Sequence, residues 1–400
     1  MQLIRACRPA TLIAIAALLS ASWQLAFAIG GARADFSIDD PSELDLDVLA
    51  YADDDHVYAV TTQLAVAHNL DGDGSRLGAH ALVDVVSAAS VDVVSTASYR
   101  FIEIREEAAF EAAYRMGEYL PSASYLFSLE PDYESHAIGV GASRRLGTPD
   151  SVLGVNYALT LDTIGMVGTP DRAFSEDLTS HSGSVSLTQV LGPQTLIRVN
   201  YAAIVQQGYM EKAYRSVPLF DIAGLDAARG DGVELDLNTF DAYRLPGRPP
   251  EEVPDSRHRH AGAVRVLRYL EDLNASIRID YRFYVDSWSV IANTVEPALY
   301  WQVAQDWRLN LATRFYHQTG ADFWRREYVV AGPQEIPAIR TVDRALSPYF
   351  AVGAQARVEW EPGDWRVYLS AGASHTEYLD YLFLDNRLVL TSQLGVQWQF

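Results

Sequence analysis

From residue 34 to the end of the chain, apolar and polar positions alternate with a period of two, in segments of roughly ten to sixteen residues bounded by Gly, Pro, Asp or Asn. The clearest is 273–286. One face carries Leu273, Ala275, Ile277, Ile279, Tyr281, Phe283 and Val285, and the other Asn274, Ser276, Arg278, Asp280, Arg282, Tyr284 and Asp286. The same pattern sets Leu309, Leu311 and Phe315 against Arg308, Asn310 and Arg314. It also sets Phe350, Val352, Ala354, Ala356, Val358 and Trp360 against Gln355, Arg357 and Glu359. A soluble sandwich also alternates, so one segment decides nothing and the repetition decides. The polar faces hold more charges and amides than a dry core accepts, so they need water.

The pattern predicts strands near 43–52, 55–69, 76–90, 102–116, 119–130, 133–146, 151–166, 181–191, 194–209, 256–271, 273–287, 289–304, 307–319, 347–361, 364–378 and 386–400. Residues 106–116 also contain good helix formers. A strand is preferred there because Ala108, Phe110, Ala112, Tyr114 and Met116 complete an apolar strand face. Short links at 191–194, 271–272, 304–306 and 361–364 interleave with long ones at 209–255 and 320–346. Trp307, Trp360, Trp365 and Trp398 fall near the short links, where a membrane-interface girdle belongs. The expected fold is all-β: a transmembrane, antiparallel, up-and-down β-barrel of about sixteen strands, within a range of about fourteen to eighteen.

The front end reads as a segment removed on export. Arg5 and Arg8 precede an apolar run from Thr11 to Leu19, and small residues follow to Ala34. The run is shorter than the roughly 20 apolar residues of a spanning helix. Residues 1–34 are therefore expected to be a cleaved signal peptide and 35–400 the barrel, with long surface loops at 209–255 and 320–346. The only cysteine, Cys7, falls in the removed part, so the mature chain must be held by its ladders and packing. Losing Arg5, Arg8 and Arg33 leaves 28 basic residues against 52 acidic ones, a net charge of -24. Such a chain does not bind nucleic acid by electrostatics. The 209–255 loop has ten acids against five basic residues, which favours hydration at the cell surface over packing in an apolar wall.

The last strand alternates Leu388, Leu390, Leu394, Val396, Trp398 and Phe400 with Arg387, Thr391, Gln393, Gln397 and Gln399, and the chain stops on the aromatic. Trp398 and Phe400 resemble the terminal signal read by the barrel assembly machinery, one expected partner. Outer-membrane lipid and lipopolysaccharide are the others.

Candidate chemistry is sparse. An eight-residue repeat places Asp84, Ser87 and Ser90 in the same setting as Asp92, Ser95 and Ser98. Paired carboxylates with hydroxyls suit a hard cation; the plainer reading is a strand end and a loop folding back into the barrel mouth. Asn69, Asp71, Asp73 and Gly74 open like a calcium loop, but the twelfth position is His80, and Asp-Gly-Asp-Gly reads more simply as a hairpin turn. His258 and His260 share a strand face and form a possible metal pair, without a third ligand. No Gly-x-Ser-x-Gly, phosphate loop or zinc-spaced cysteine occurs, so no enzyme activity, cofactor or metal is expected.

The segment Asp84 to Ser90 and its echo Asp92 to Ser98, set between barrel strands, resemble the signature of the domain of unknown function 3570 family. That resemblance implies an outer-membrane barrel and brings no catalytic residues with it. Two functions stay open. One is a porin-like channel or transport barrel for small solutes, in the outer membrane of a Gram-negative bacterium, with Arg278, Asp280, Arg282, Arg308, Arg314, Gln355, Arg357 and Glu359 lining the lumen. The other is a non-conducting scaffold barrel that anchors periplasmic or surface partners; an outer-membrane enzyme ranks behind both.

Overall fold

Sixteen alternating strands can close on themselves, keeping their charged faces in water inside and their apolar faces towards lipid outside. The computed structural model describes residues 42–88, 101–147, 150–332 and 335–400. The expected signal peptide lies outside the described residues, as do Ser90, Asp92, Ser95 and Ser98. The strands of the first half are β1 (Glu43–Asp53), β2 (Val57–Asn69), β3 (Arg76–Ala88), β4 (Phe101–Ala113), β5 (Tyr119–Glu130), β6 (Tyr133–Arg145), β7 (Ser151–Ile164), β8 (Glu176–Gly192) and β9 (Thr195–Gly208). A two-residue strand, β10 (Leu219–Phe220), and two helices, α1 (Ile222–Gly230) and α2 (Phe240–Tyr243), follow. The rest are β11 (Ser256–Leu270), β12 (Ala275–Asp286), β13 (Ile291–Ala304), β14 (Trp307–Gln318), the short β15 (Tyr328–Val329), β16 (Tyr349–Trp360), β17 (Trp365–Tyr378) and β18 (Asn386–Gln399).

All strands but β10 and β15 pair antiparallel with their ring neighbours, and β18 closes on β1, giving one closed barrel of sixteen strands. Every link at one end, the turn end, is short; the β1–β2, β5–β6 and β12–β13 links at the other end are short as well. The long connections all stand at that other end, the loop end. Cross-strand partners followed from Glu43, at the turn end of β1, arrive at Arg259, near the loop end of β11. That climb is the stagger of a barrel whose strands tilt strongly against its axis.

Most strand ends fall within two residues of the pattern, and three of the differences have a local reason. β8 starts at Glu176 rather than near 181, because β7 continues to pair with its polar first turn as far as Ile164 and Glu176. β4 is a strand, as the apolar face predicts, but stops at Ala113; beyond it Met116 and Tyr119 bridge a turn at Gly117. β12 starts at Ala275, since residues 271–273 form a helical turn ended by Asn274 in the left-handed region, φ 46°.

The 209–255 loop differs from its expectation as a hydrated surface loop. It contributes Val217, Leu219, Phe220, Leu225 and Phe240 to an apolar core, joined by Trp324, Tyr328, Val330 and Val342 of the 319–348 connection, Trp288 and Val290 of the β12–β13 link and Tyr381 to Phe383 of the β17–β18 link. β10 and β15 pair in parallel within it, and Asp221 caps α1 by accepting from the Gly224 N–H at 2.6 Å. The acids Asp226, Asp231 and Asp241 are exposed, while apolar residues between them are buried. The result is a cap with its own core at the loop end.

Candidate functional site

The lumen wall follows from the two-residue period. On β12, Ile277, Ile279, Tyr281 and Phe283 are exposed on the outside. Arg278, Asp280 and Arg282 stand in a row inside. Asp280 is shared between Arg265 on β11 at 2.7 Å and Arg278 at 3.1 Å. On β14, Arg314 pairs with Glu296 of β13 at 3.0 Å, and Arg308 reaches Glu359 of β16 at 3.2 Å, where Arg357 is also bound at 2.8 Å. Arg282 makes no ion pair with any described residue. Gln355 is exposed although it faces inward, and Arg278, Arg314, Arg357 and Arg308 keep between 25% and 32% of their side-chain surface accessible. Water therefore has room along this wall.

Tyrosines support the arginines. The Arg357 guanidinium lies 3.3 Å from the Tyr368 ring centroid, Arg314 5.0 Å from Tyr316 and Arg278 5.4 Å from Tyr300. The Tyr368 hydroxyl donates to Asp47 of β1, and its ring lies against Gly395 of β18, where any Cβ would collide with it.

Sequence reasoning missed the opposite wall. β1 turns Glu43, Asp45, Asp47 and Asp53 inward, β3 turns Asp84 inward, and β4 turns Glu103, Glu107 and Glu111 inward. Against these eight carboxylates the described residues of β1–β4 set two inward arginines: Arg76, 2.5 Å from Glu43, and Arg105, 2.5 Å from Asp84. His80 adds a contact to Glu107 at 3.2 Å. From β11 to β16 the balance reverses: Arg257, Arg259, Arg265, Arg278, Arg282, Arg308, Arg314 and Arg357 face four acids, Asp280, Asp286, Glu296 and Glu359. In the ring β3 and β12 stand eight strands apart, half the circumference. Between the walls, β5–β8 present mainly small uncharged residues such as Ser124, Gly139, Asn156 and Ser184, with the acids Glu130 and Asp162 added near the loop end. The alternation could have revealed each acid as inward, but not which wall it would face.

The cap touches the rim nearly all round. Arg344 of the 319–348 connection is fully buried against Asp55 of the β1–β2 turn at 2.5 Å. Tyr214 donates to Asp132 of the β5–β6 turn at 2.5 Å and accepts from the Val167 N–H of the β7–β8 link at 2.7 Å. Burial pushes the Asp132 carboxyl up to about 6, against the Tyr214 hydrogen bond that favours its charged form. Inside the cap, Arg215 lies 2.7 Å from Asp343 and 3.2 Å from Glu251. Burial opposes both charges. At Asp343 burial is the largest influence, but Arg215, Lys212 and the Ala345 N–H together hold the carboxyl below its usual range; at Glu251 burial, with the neighbouring Asp343 charge, keeps it above.

The repeat does not form a joint ligand set where it can be seen. Asp84 and Ser87 are three residues apart on β3, so Asp84 faces the lumen and Ser87 the outside. Asp84 accepts from Thr61 and pairs with Arg105. Asp71 closes a tight turn by accepting from the N–H groups of Asp73 and Ser75, with Gly74 at φ 99°. His258 and His260 point outward, and His260 Nδ1 lies 2.8 Å from the Tyr201 hydroxyl. Among the described residues one group of three potential ligands gathers within 4.8 Å: Glu103, Glu130 and Asp132. At the turn end, Trp307 stacks with Trp360 at 6.1 Å and Trp365 with Trp398 at 6.0 Å. Phe400 is exposed beside Trp398.

No curated protein matches the chain. Among solved structures it is similar to CdiB from Acinetobacter baumannii, at 11% identity and a TM-score of 0.50, over 89% of this chain and 60% of that one. It is also similar to the CymD monoaromatic hydrocarbon channel, at 11% identity and a TM-score of 0.44 over 98% and 95%, and to the siderophore receptor PirA from Acinetobacter baumannii, at 9% identity and 0.43 over 86% and 54%. The chain thus spans about 60% of the length of CdiB, and the likeness to CdiB is one of fold: an outer-membrane-type barrel. A family model described as "Protein of unknown function (DUF3570)" matches residues 98–361, from just before β4 to just past β16. The repeat at 84–98 lies ahead of that match except for Ser98 itself. Matched over more than half its length, on a closed sixteen-strand barrel, the chain belongs to the DUF3570 family.

Proposed function

We propose that the protein is an outer-membrane channel for small hydrophilic solutes. The observation that carries this reading is the inward wall of partly accessible arginines, acids and amides, which only water-filled space can accommodate. A barrel of sixteen strands is wide enough to leave such a path. The cap favours a second reading, a barrel that holds a folded surface module and conducts nothing, because its loops reach the rim on several sides.

Single-channel recording in planar bilayers separates the two. The channel reading expects discrete conductance steps. It also expects that Arg278→Ser with Arg282→Ser shifts the reversal potential under a salt gradient towards cation preference, since the acids of β1–β4 then dominate the lumen. Silence of the purified protein in bilayers would hand the function to the scaffold reading.

A further inference from the structure

Charge inside the barrel is segregated rather than mixed. Two of the four carboxylates of the arginine wall are shared between two guanidiniums, Asp280 by Arg265 and Arg278 and Glu359 by Arg308 and Arg357, and eight arginines against four acids leave that wall with an excess of positive charge. Arg282 adds to it between the small cross-strand neighbours Ala263 and Thr294. Half a circumference away, β3 and β4 carry Asp84, Glu103, Glu107 and Glu111 against the Arg105 guanidinium and His80, while their other arginine, Arg76, is paired with Glu43 of β1. The two walls also match in height. Asp84 stands four residues from the loop end of β3, which ends at Ala88, and Arg282 four from that of β12, which ends at Asp286.

We propose that the lumen selects small zwitterions, solutes with a carboxylate and an ammonium a few ångströms apart, over net anions or cations of equal size. The proposal rests on the channel reading. A net anion is drawn to the β12–β14 wall and repelled by the β3–β4 wall, and a cation meets the reverse. A dipolar ion that turns its carboxylate to Arg282 and its ammonium to Glu107 gains from both. Low-dielectric walls focus such a field, while mobile ions screen it beyond about 8 Å at physiological salt. The preference must therefore shrink as salt rises.

The test is efflux of labelled L-serine, lactate, choline and arabinose from liposomes carrying the full mature chain, at neutral pH and low salt. Serine is expected to leave about threefold or more faster than both lactate and choline, and this advantage to fade in high salt. Arg278→Gln with Arg282→Gln should lower the serine-to-choline ratio, and Glu107→Gln with Glu111→Gln the serine-to-lactate ratio. The wild-type comparison and its salt dependence stand even if a variant fails to insert. Arabinose reports the channel itself. Release of arabinose without a serine advantage over both ions overturns the zwitterion proposal and leaves the channel intact; no arabinose release overturns both.

Discussion

On β12, Ile279 and Ser276 stand three residues apart and meet different solvents. The Ile279 side chain is 48% exposed on the outside, in the middle of an apolar stripe, whereas Ser276 faces the lumen beside its cross-strand neighbour Tyr300. An arginine facing lipid at the bilayer midplane costs roughly 2–4 kcal/mol, while one facing water does not. Ile279→Arg is therefore expected to destabilise the folded barrel by about that amount and Ser276→Arg by much less. Reversible unfolding of both variants checks it, and equal stabilities would mean the faces are reversed. This much was legible in the sequence, because face follows from residue parity. The partner of each charge was not: Arg278 and Asp280 share a row, but Arg265, which also binds Asp280, comes from another strand.

At the scale of elements, strands and links were legible and the cap was not. The alternation located all sixteen strands, since each carries its own periodic signal, and only their ends shifted by a few residues. The 209–255 segment has no period of two, and its acids outnumber its bases. Its apolar residues find their partners in three other connections, which meet only once the barrel has brought the strand ends together. The Arg344–Asp55 pair ties the cap to the rim. Breaking a buried pair by removing one partner costs about 3–5 kcal/mol, because the other charge is left without it. Asp55→Ala is expected to loosen the cap by that order, and Asp55→Ala with Arg344→Met to restore part of the loss. Hydrogen exchange of the 319–348 segment measures it; equal protection in wild type and Asp55→Ala would show that the pair does not anchor the cap.

For the molecule as a whole, an apolar outer surface, stacked tryptophans at the turn end and a closed ring of backbone hydrogen bonds suit a bilayer and no aqueous compartment. The mature protein is expected to fractionate with the outer membrane and to require detergent for extraction. Recovery in the soluble periplasmic fraction would contradict this directly.

By itself the sequence determined that this chain is a barrel, because a two-residue period repeated over strand-length segments leaves only one way to separate lipid from water. It also sorted the side chains of each strand onto two faces, by residue parity. Only the tertiary structure decided how those side chains are shared out around the ring. Closure of β18 on β1 and the order of the strands set the acids of β3 and β4 about half a turn from the arginines of β12. Neither the net charge of the chain nor the pattern of any one strand contains that separation, since a local period fixes direction and only closure fixes what lies across the lumen.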